Sequence, residues 1–402
     1  MLAAVRVVRI PSGQSVEPFG DAPGRMQVLA GTLAEAQADA IVAAGCVLAE
    51  GPPTDEAYAV VSDRLWFTGS LLRAMIAEGR PGRLVVTDDA FLRVTGALQS
   101  DAAHPEIAIV AAGGAPSFTG LADLELDLRL APMAPQGLHP AFQHAAADPL
   151  VAGARAVHGI EHWSHLVRVN LLALTARVAE AKAAFDGAAW WSKVGTAAAI
   201  LWKAGRLNEA ALARAVTRIG NGCSIHPSAV VEACELGNNV KIGAGAVVRG
   251  CVLGDGASVD VQAHCVASAI GPGAQVGRGT HLALSVLFPG ALVSQGAGFQ
   301  ACVFGRDSFV AQGVTALDLS FGRQINVDHR GERVSSGGWF LGAAIGHRAR
   351  IGAGVRIGYG VAIPNDTLLV GPPETLLRKV EPVNGPAMVR DGRLVSVKDG
   401  SA

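Results

Sequence analysis

The chain has 402 residues, of which 33 are basic and 34 acidic, so its formal net charge is −1. This length allows two or three domains with a sizeable core, and the charge balance argues against nucleic acid or an anionic membrane as a partner. The longest apolar runs are far shorter than the roughly 20 residues that cross a bilayer. Arg6 and Arg9 interrupt the apolar start, unlike a signal peptide. We therefore expect a cytoplasmic protein without a membrane span.

Residues 1–150 alternate short apolar segments with stretches of helical composition. The segments are AVRVVRI, GTLAEAQADAIVAAG, LLRAMIAEG, RLVVT and EIAIVAAGG. This alternation predicts an α/β domain with a partly parallel sheet. Residues 151–218 then change to helical spacing, as in HLVRVNLLALTARVAEAKAAF, AAWWSKVGTAAAILWKAG and LNEAALARAVTR. We expect a helical connector there.

From residue 219 onward an apolar residue recurs every seventeen positions, and two further ladders run in phase with the first. The first ladder is Ile219, Leu236, Leu253, Ile270, Leu287, Phe304 and Phe321. The second is Ile225, Ile242, Val259, Val276, Val293 and Val310, and the third is Val231, Val248, Cys265, Leu282, Phe299 and Ala316. Because a repeat that cannot bury its apolar face alone must stack on its neighbours, the pattern predicts a three-sided β-solenoid over 219–373.

The repeat stops after Phe321 and resumes at Ile345, so we expect an insertion loop over 322–344. Loops on rigid scaffolds are common places for sites. Residues 374–402 read as a polar, peripheral tail.

The six cysteines form no metal-type CxxC pair. Cys234, Cys251 and Cys302 share a register with Ser268 and Ser285, which predicts small corner residues inside the solenoid. A disulfide between Cys234 and Cys251 stays open as an alternative, although the expected compartment argues against it.

Two segments carry a family resemblance, namely FVAQGVTALDLSFGRQINVDHRGERVSSGGWFLGAAIGHRARIGAGVRIGYGVAIPN and, more weakly, EHWSHLVRVN at 161–170. They resemble the bifunctional sugar-1-phosphate nucleotidyltransferase/N-acetyltransferase family, as in N-acetylglucosamine-1-phosphate uridyltransferases of the archaeal type or a divergent bacterial branch. The resemblance covers 160–373 well and 1–150 poorly. It implies an N-terminal nucleotidyltransferase-like domain and a left-handed hexapeptide-repeat β-helix that forms a homotrimer. It also implies transfer chemistry in sugar-nucleotide synthesis, with a sugar phosphate or nucleotide sugar as substrate.

The N-terminal residues depart from the chemistry of nucleotidyl transfer. That reaction needs backbone N–H groups and cations around phosphates, yet the loop after the first strand, residues 11–15, has one glycine, and the first lysine is Lys182. Arg25 could contact a phosphate, or be an exposed structural arginine. Asp88 and Asp89 follow an apolar strand, where they could bind Mg²⁺ or act as caps. We expect Mg²⁺ only if this domain is active.

The resemblance also locates an acyl-transfer site, for which a base near neutrality is needed. The family's histidine base aligns with Gln295, whose amide cannot accept a proton, and a family asparagine aligns with Asp318. His329 in the insertion is the best replacement base, with a surface-loop histidine as the alternative, so the candidate catalytic residues are His329, Asp318 and Gln295. Relatives hold the phosphates of acyl-CoA near their C-terminal coils, which makes Arg348 and Arg350 candidates. Arg323 is a further candidate, because we expect it in a groove between subunits of the trimer.

Two histidine patterns leave a metal site open, although we predict none. His264 and His281 are seventeen apart and should stack on neighbouring coils, about 4.8 Å apart; γ-class carbonic anhydrases use histidines on such a solenoid. Residues His158, Glu161, His162 and His165 have i, i+4 and i+7 spacing on an expected helix face, which can hold zinc.

Two functions follow. The chain is a hexapeptide-repeat transferase with altered catalytic positions, or a catalytically silent trimeric binding or scaffold protein. A metal-dependent, carbonic-anhydrase-like enzyme is a distant third.

Overall fold

A computed structural model describes residues 5–128, 131–133, 150–188, 190, 213–371, 387–390 and 393–396. The elements before the solenoid are, in chain order, β1 (Arg6–Ile10), a 3-10 helix (Pro23–Arg25), β2 (Gln27–Val28), β3 (Gly31–Thr32), α1 (Leu33–Ala43), β4 (Val47–Ala49), β5 (Tyr58–Ser62), β6 (Leu65–Phe67), α2 (Gly69–Ala77), β7 (Gly82–Val85), α3 (Asp89–Thr95), β8 (Ile107–Val110), β9 (Asp123–Glu125), β10 (Ala131–Met133), β11 (Leu150–Ala152), β12 (Val157–Gly159) and α4 (Trp163–Gly187).

The N-terminal part is built on a six-stranded mixed sheet of order β4-β1-β5-β8-β7-β9. The pairs β1–β4, β1–β5 and β7–β9 are parallel, whereas β8 runs antiparallel to β5 and β7. All five residues of β5 are buried, which explains its continuous apolar sequence. Helix α1 begins at a capping box, in which Thr32 and Glu35 satisfy each other's backbone N–H.

The described part of the predicted connector begins with strands β11 and β12 and continues as one long helix. Helix α4 has His162 as its N-cap and continues to Gly187. Most of the other predicted connector helix, residues 189 and 191–212, lies outside the described residues. Of the described helices, none is long and apolar enough to cross a membrane.

The solenoid consists of three parallel sheets. The first contains β13 (Arg218–Ile219), β16 (Glu235–Leu236), β19 (Val252–Leu253), β22 (Ala269–Ile270), β25 (Val286–Leu287), β28 (Val303–Phe304), β33 (Ala344–Ile345) and β36 (Ala362–Ile363). The second contains β14 (Ser224–Ile225), β17 (Lys241–Ile242), β20 (Ser258–Val259), β23 (Gln275–Val276), β26 (Leu292–Val293), β29 (Phe309–Val310), β34 (Arg350–Ile351) and β37 (Leu368–Leu369). The third contains β15 (Val230–Glu232), β18 (Val247–Arg249), β21 (His264–Val266), β24 (His281–Ala283), β27 (Gly298–Gln300), β30 (Thr315–Ala316) and β35 (Arg356–Ile357).

The predicted ladders are the interior of this stack. Leu253 pairs with Ile270, Val259 with Val276 and Cys265 with Leu282, each seventeen residues along the chain. Their side chains form one buried core cluster that runs through the coils. The sequence prediction of a three-sided parallel solenoid is therefore confirmed.

Two members of the first ladder are exposed. Ile219, in the first coil, keeps its register with Leu236 but is 56% exposed, whereas Phe321 lies outside the stack and was predicted wrongly. Phe321 is 80% exposed, and the strand that follows Phe304 in the first sheet contains Ile345 instead. The chain leaves the stack after β30. Phe321 is seventeen residues after Phe304, but it lies in a segment that no longer forms a coil. When the coils resume, the spacing from Ile345 to Ile363 is eighteen.

The excursion from the stack contains a β-hairpin. Strand β31 (Asn326–His329) pairs antiparallel with β32 (Glu332–Ser335). Arg330 and Gly331 form the two-residue turn, and both have positive φ, 53° and 82°. Positive φ at both positions is the type I′ geometry that matches the strand twist of a tight hairpin.

Helix α4 covers the first sheet of the solenoid. The outward residues Val252, Ala269, Val286, Val303 and Ala344 are buried in one cluster with Trp163, Leu166 and Val169 of the helix. Outward positions of a sheet are normally polar when they face water. These apolar ones therefore indicate the covered face.

In the tail, strands β38 (Ala387–Arg390) and β39 (Arg393–Ser396) form an antiparallel hairpin. All six cysteines are free, so the alternative disulfide between Cys234 and Cys251 does not form.

Candidate functional site

A polar cavity of about 560 Å³ lies where the N-terminal part, the connector and the insertion hairpin meet. We call it the junction cavity. Its lining residues are Gly13, Gln14, Ser15, Glu17, Ser100, Glu161, His162, Asp328, His329 and Arg330.

The first wall is the loop after β1, where the resemblance places a phosphate-binding loop. Val16 and Phe19 anchor it in the core shared with the solenoid, and Phe19 stacks on Phe288 at 5.2 Å between ring centroids. Asp21 accepts from Arg306 at 2.6 Å and from His347 at 3.1 Å. The loop is thus fixed against a coil and turns residues 13–15 toward the cavity.

The second wall is the hairpin, which presents His329. Ile325 and Val327 are buried, whereas Asn326 and Asp328 are exposed. Because side chains alternate along a strand, His329 shares the inward side of the hairpin. Burial and Arg330 lower the pKa of His329, which Glu161 raises in part. Among the described residues, no hydrogen bond occupies the ring nitrogens of His329, so the neutral imidazole can accept a proton.

The third wall is the connector entrance, where Glu161 is a buried carboxylate with a 3% exposed side chain. Arg64 approaches one oxygen at 3.2 Å, and Arg330 donates to the other at 2.8 Å. The backbone N–H and the hydroxyl of Ser100 also donate to it. Its charge is therefore fully compensated.

The connector histidines do not form the helix-face metal set that the sequence left open, because α4 begins only at Trp163. His165 accepts from the Glu161 N–H at 3.1 Å and contacts the Ala97 carbonyl through Nε2 at 2.9 Å. His162 contacts Ser164 through Nδ1 and the Asp328 carbonyl through Nε2. His158 belongs to β12, and its Nδ1 donates to the Gly159 carbonyl at 2.6 Å.

Burial lowers the pKa of all three of these imidazoles, to about 3 for His158 and about 4 for His162. They are neutral packing groups at the junction. No three histidine, cysteine or acidic side chains in the described part of the chain lie together in a way that could hold a metal ion.

The N-terminal candidates for nucleotidyl transfer, Asp88, Asp89 and Arg25, all lie at the ends of helices. Asp88 is the N-cap of α3 and accepts from the Phe91 N–H at 2.8 Å. Asp89 lies in the first turn of the same helix, and Arg25 ends the 3-10 helix as an exposed residue. None of the three lines the junction cavity.

Gln295 lies in a different place from His329. Its amide donates to Gln312 on the next coil at 2.9 Å. It lines a second depression of about 550 Å³ along the second sheet, which we call the flank groove. The cationic residues of that groove are Lys241 and Arg278, which sequence reasoning missed.

Asp318 lines neither cavity. Its backbone carbonyl accepts from the Leu341 N–H at 2.7 Å. Burial raises the pKa of its carboxyl group, and the backbone N–H groups of Asp318 and Leu319, with His281, offset this in part. His264 and His281 lie opposite each other on neighbouring coils as predicted, with ring centroids 5.1 Å apart and ring planes at 62°.

The predicted cofactor arginines are exposed and lie outside both cavities. Arg348 is engaged by Asp366 through two hydrogen bonds of 2.6 Å. Arg350 is an outward residue of β34, between Phe309 and Leu368 of the neighbouring strands. Arg323 makes no ion pair within the described ranges.

Of the predicted catalytic residues, the structure brings only His329 into the junction cavity. It adds Glu161 and His162, which the sequence analysis had considered only as metal ligands. The hairpin turn Arg330–Gly331, between alternating segments, was the available signal for how His329 is presented.

A family model described as bacterial transferase hexapeptide (six repeats) matches residues 217–250, the first two coils of the solenoid. Over these two coils the chain is therefore similar to the hexapeptide-repeat transferases that the model describes. No curated protein matches the chain.

Proposed function

We propose that the chain is a hexapeptide-repeat acyltransferase whose acceptor binds in the junction cavity and whose proton acceptor is His329. The observation that carries this proposal is the half-buried imidazole of His329 in a polar cavity, with a lowered pKa and ring nitrogens that no described residue occupies. A neutral imidazole is the usual general base near neutral pH.

The cavity charges favour acyl over nucleotidyl transfer. Three acidic residues and one basic residue line it: Glu17, Glu161, Asp328 and Arg330. Phosphoryl chemistry needs an excess of cations around the phosphates, whereas Arg330 and the neighbouring Arg64 are already paired with Glu161. Carboxylates and neutral imidazoles suit an acceptor that offers hydroxyl or amine hydrogens, and the resemblance makes a sugar the leading acceptor class.

The reaction follows from these groups. His329 accepts the proton of the acceptor O–H or N–H as the oxygen or nitrogen bonds to the acyl carbon. The C–S bond breaks, and the proton leaves His329 with the thiol. An acyl-CoA would supply the activated thioester, and Arg350 and Arg323 are available for its phosphates, whereas Asp366 already neutralises Arg348.

The N-terminal part serves, in this proposal, as one wall of the acyltransferase site and not as a separate nucleotidyltransferase. Asp88 is engaged as a helix cap and lies outside the junction cavity, as does Asp89. Its nucleotidyltransferase-like ancestry remains part of the proposal from the resemblance.

In this proposal the solenoid is a left-handed β-helix, and three chains assemble into a homotrimer. Hexapeptide-repeat proteins commonly form trimers, and the flank groove with Gln295, Lys241 and Arg278 would then border a neighbouring subunit. Analytical ultracentrifugation of the full chain tests the trimer, and a monomer would contradict it.

A catalytically silent binding protein is the second candidate. The position where the resemblance places the base holds Gln295, which is tied to Gln312. This candidate predicts ligand binding without turnover.

The test is a transfer assay with acetyl-CoA against a panel of amino and hydroxyl sugars, with and without a phosphate. We expect turnover by the wild type and a loss of about 10²–10⁴-fold in His329→Gln. Thermal shifts with acetyl-CoA, UTP and UDP-sugars run alongside. Binding without turnover selects the silent protein, and equal rates for wild type and H329Q contradict His329 as the base.

A further inference from the structure

His329 itself is not held by a hydrogen bond to its ring in the described structure, but both of its chain neighbours are held by the connector. On one side, the carbonyl oxygen of Asp328 lies 3.2 Å from Nε2 of His162. On the other side, Arg330 donates to the carboxylate of Glu161 at 2.8 Å. Two consecutive connector residues thus grip the chain immediately before and after the candidate base.

The donor and the acceptor in the contact between His162 and Asp328 can be assigned. Nδ1 of His162 accepts from the Ser164 N–H at 3.2 Å, so Nε2 carries the proton and donates to the Asp328 carbonyl. The ring of His162 also stands edge to face against the ring of His329, with 5.4 Å between centroids. His162 therefore restrains both the backbone and the ring plane at this position.

Glu161 is held by side chains and backbone of the N-terminal part as well as by the hairpin. Arg64 lies 3.2 Å from its carboxylate and is itself held by Glu106 at 2.6 Å. Ser100 donates to it from the backbone at 2.9 Å. A hydrogen bond between charged groups is shorter and stronger than a neutral one, and here the acceptor is nearly completely buried.

We propose that Glu161 and His162 are positioning residues that hold His329 in the junction cavity. This inference rests on the proposed role of His329, but it concerns the placement of the imidazole and can be measured without turnover.

The charges of Glu161 and Arg330 predict the direction in which the pKa of His329 should shift in variants. Glu161 raises the pKa of His329, and Arg330 lowers it. We expect Glu161→Gln to shift the His329 titration midpoint downward and Arg330→Gln to shift it upward. General loosening would expose the ring and move the midpoint upward in both variants, because burial is the main cause of the lowered pKa.

The experiment is a pH titration of ¹³C-histidine-labelled full-length protein by NMR, with the His329 signal assigned by its loss in H329Q. Amide hydrogen exchange of residues 326–329 is measured on the same variants. Loss of a hydrogen bond to a charged group should speed this exchange about tenfold. His162→Phe, which keeps a ring but loses the donor, should speed it as well, whereas His162→Gln, which keeps an N–H donor, should retain protection.

Arg333→Ala is the matched control. Arg333 lies in the same hairpin and pairs with the exposed Asp328 carboxylate at 3.3 Å, so it should leave the exchange of the hairpin strand near the wild-type rate. The positioning role would be overturned if both E161Q and H162F kept the wild-type titration midpoint of His329 and the wild-type exchange rates of residues 326–329. Turnover that survives H329Q would contradict the proposed function. The titration and exchange measurements would still test whether Glu161 and His162 position the ring of His329.

Discussion

At the scale of single residues, three corner cysteines of the solenoid make the hydrogen bond that serines make at equivalent corners. The Sγ atoms of Cys234, Cys251 and Cys302 each approach the carbonyl oxygen two residues earlier, at 3.2–3.3 Å. Ser268 and Ser285 donate to the same carbonyl position at 2.8 Å. In this stacked column of corner residues, a cysteine thiol or a serine hydroxyl donates the same hydrogen bond to the carbonyl two residues earlier.

We expect Cys302→Ser to change the free energy of unfolding by less than about 1 kcal/mol, because the hydroxyl inherits this hydrogen bond. Cys265→Ser is the contrasting variant. Cys265 lies in the buried third ladder, and no hydrogen bond to its sulfur occurs in the described structure. A hydroxyl there is desolvated without a partner, which should cost about 1–3 kcal/mol. Denaturant unfolding compares the two, and equal losses would contradict the corner assignment.

Asp21 joins the loop after β1 to the solenoid. Its carboxylate is the shared acceptor for Arg306 and for His347, whose side chain is only 2% exposed. We expect Asp21→Ala to lower the free energy of unfolding by about 1–3 kcal/mol, because it leaves a buried partner unsatisfied.

Glu235→Ala is the matched control for Asp21→Ala. Glu235 also links the connector to the solenoid, through Arg177 at 2.6 Å, but both side chains are at least two-fifths exposed. Exposed pairs contribute about 0–1 kcal/mol. Chemical unfolding of both variants checks the difference, and a larger loss in E235A would contradict our assignment of Asp21 as the main anchor.

At the scale of elements, the docking of α4 on the first sheet depends on one face of the helix. Leu166 is completely buried in the shared core, whereas Val178 on the same helix is 70% exposed. Leu166→Ala should cost about 2–4 kcal/mol, since it removes buried methyl groups and leaves a cavity. Val178→Ala should stay within about 0.5 kcal/mol. Thermal unfolding separates them, and similar losses would show that the helix packs differently.

The ladders were predictable because each coil buries one apolar side chain per sheet, and Leu253, Val259 and Cys265 repeat that demand at a fixed interval. Phe321 kept the interval but not the burial, because the chain had already left the stack. The covered first face was readable in principle from the outward valines Val252, Val286 and Val303, since a solvated outward column would be polar.

At the scale of the whole molecule, the junction cavity was beyond sequence reasoning. Its walls come from residues 13–17, Ser100, residues 161–162 and residues 328–330, so the contacts span more than three hundred positions. His329 was predicted as a base from its residue type and its loop. Its partners follow only from the docking of the hairpin on the connector, for which no local pattern exists.

The buried imidazoles at this junction make the whole fold sensitive to acid. The folded-state pKa values of His158 and His162 lie near 3 and 4, below the ordinary value of 6.5, and that of His165 is also well below it. Above pH 6.5 these groups are neutral in both states and add no pH dependence. Between 6.5 and the folded-state values, the unfolded chain binds protons that the folded chain does not, so the free energy of unfolding falls as the pH falls.

Each of these histidines should contribute a slope of about 1.4 kcal/mol per pH unit in that window. His158→Phe removes one titrating group while keeping a ring beside His165, whose centroid lies 4.9 Å away. We therefore expect H158F to flatten the dependence of the unfolding free energy on pH between about 4 and 6.5, by about one such slope. Urea unfolding across this pH range measures it. A dependence as steep in H158F as in the wild type would contradict the burial of a neutral His158.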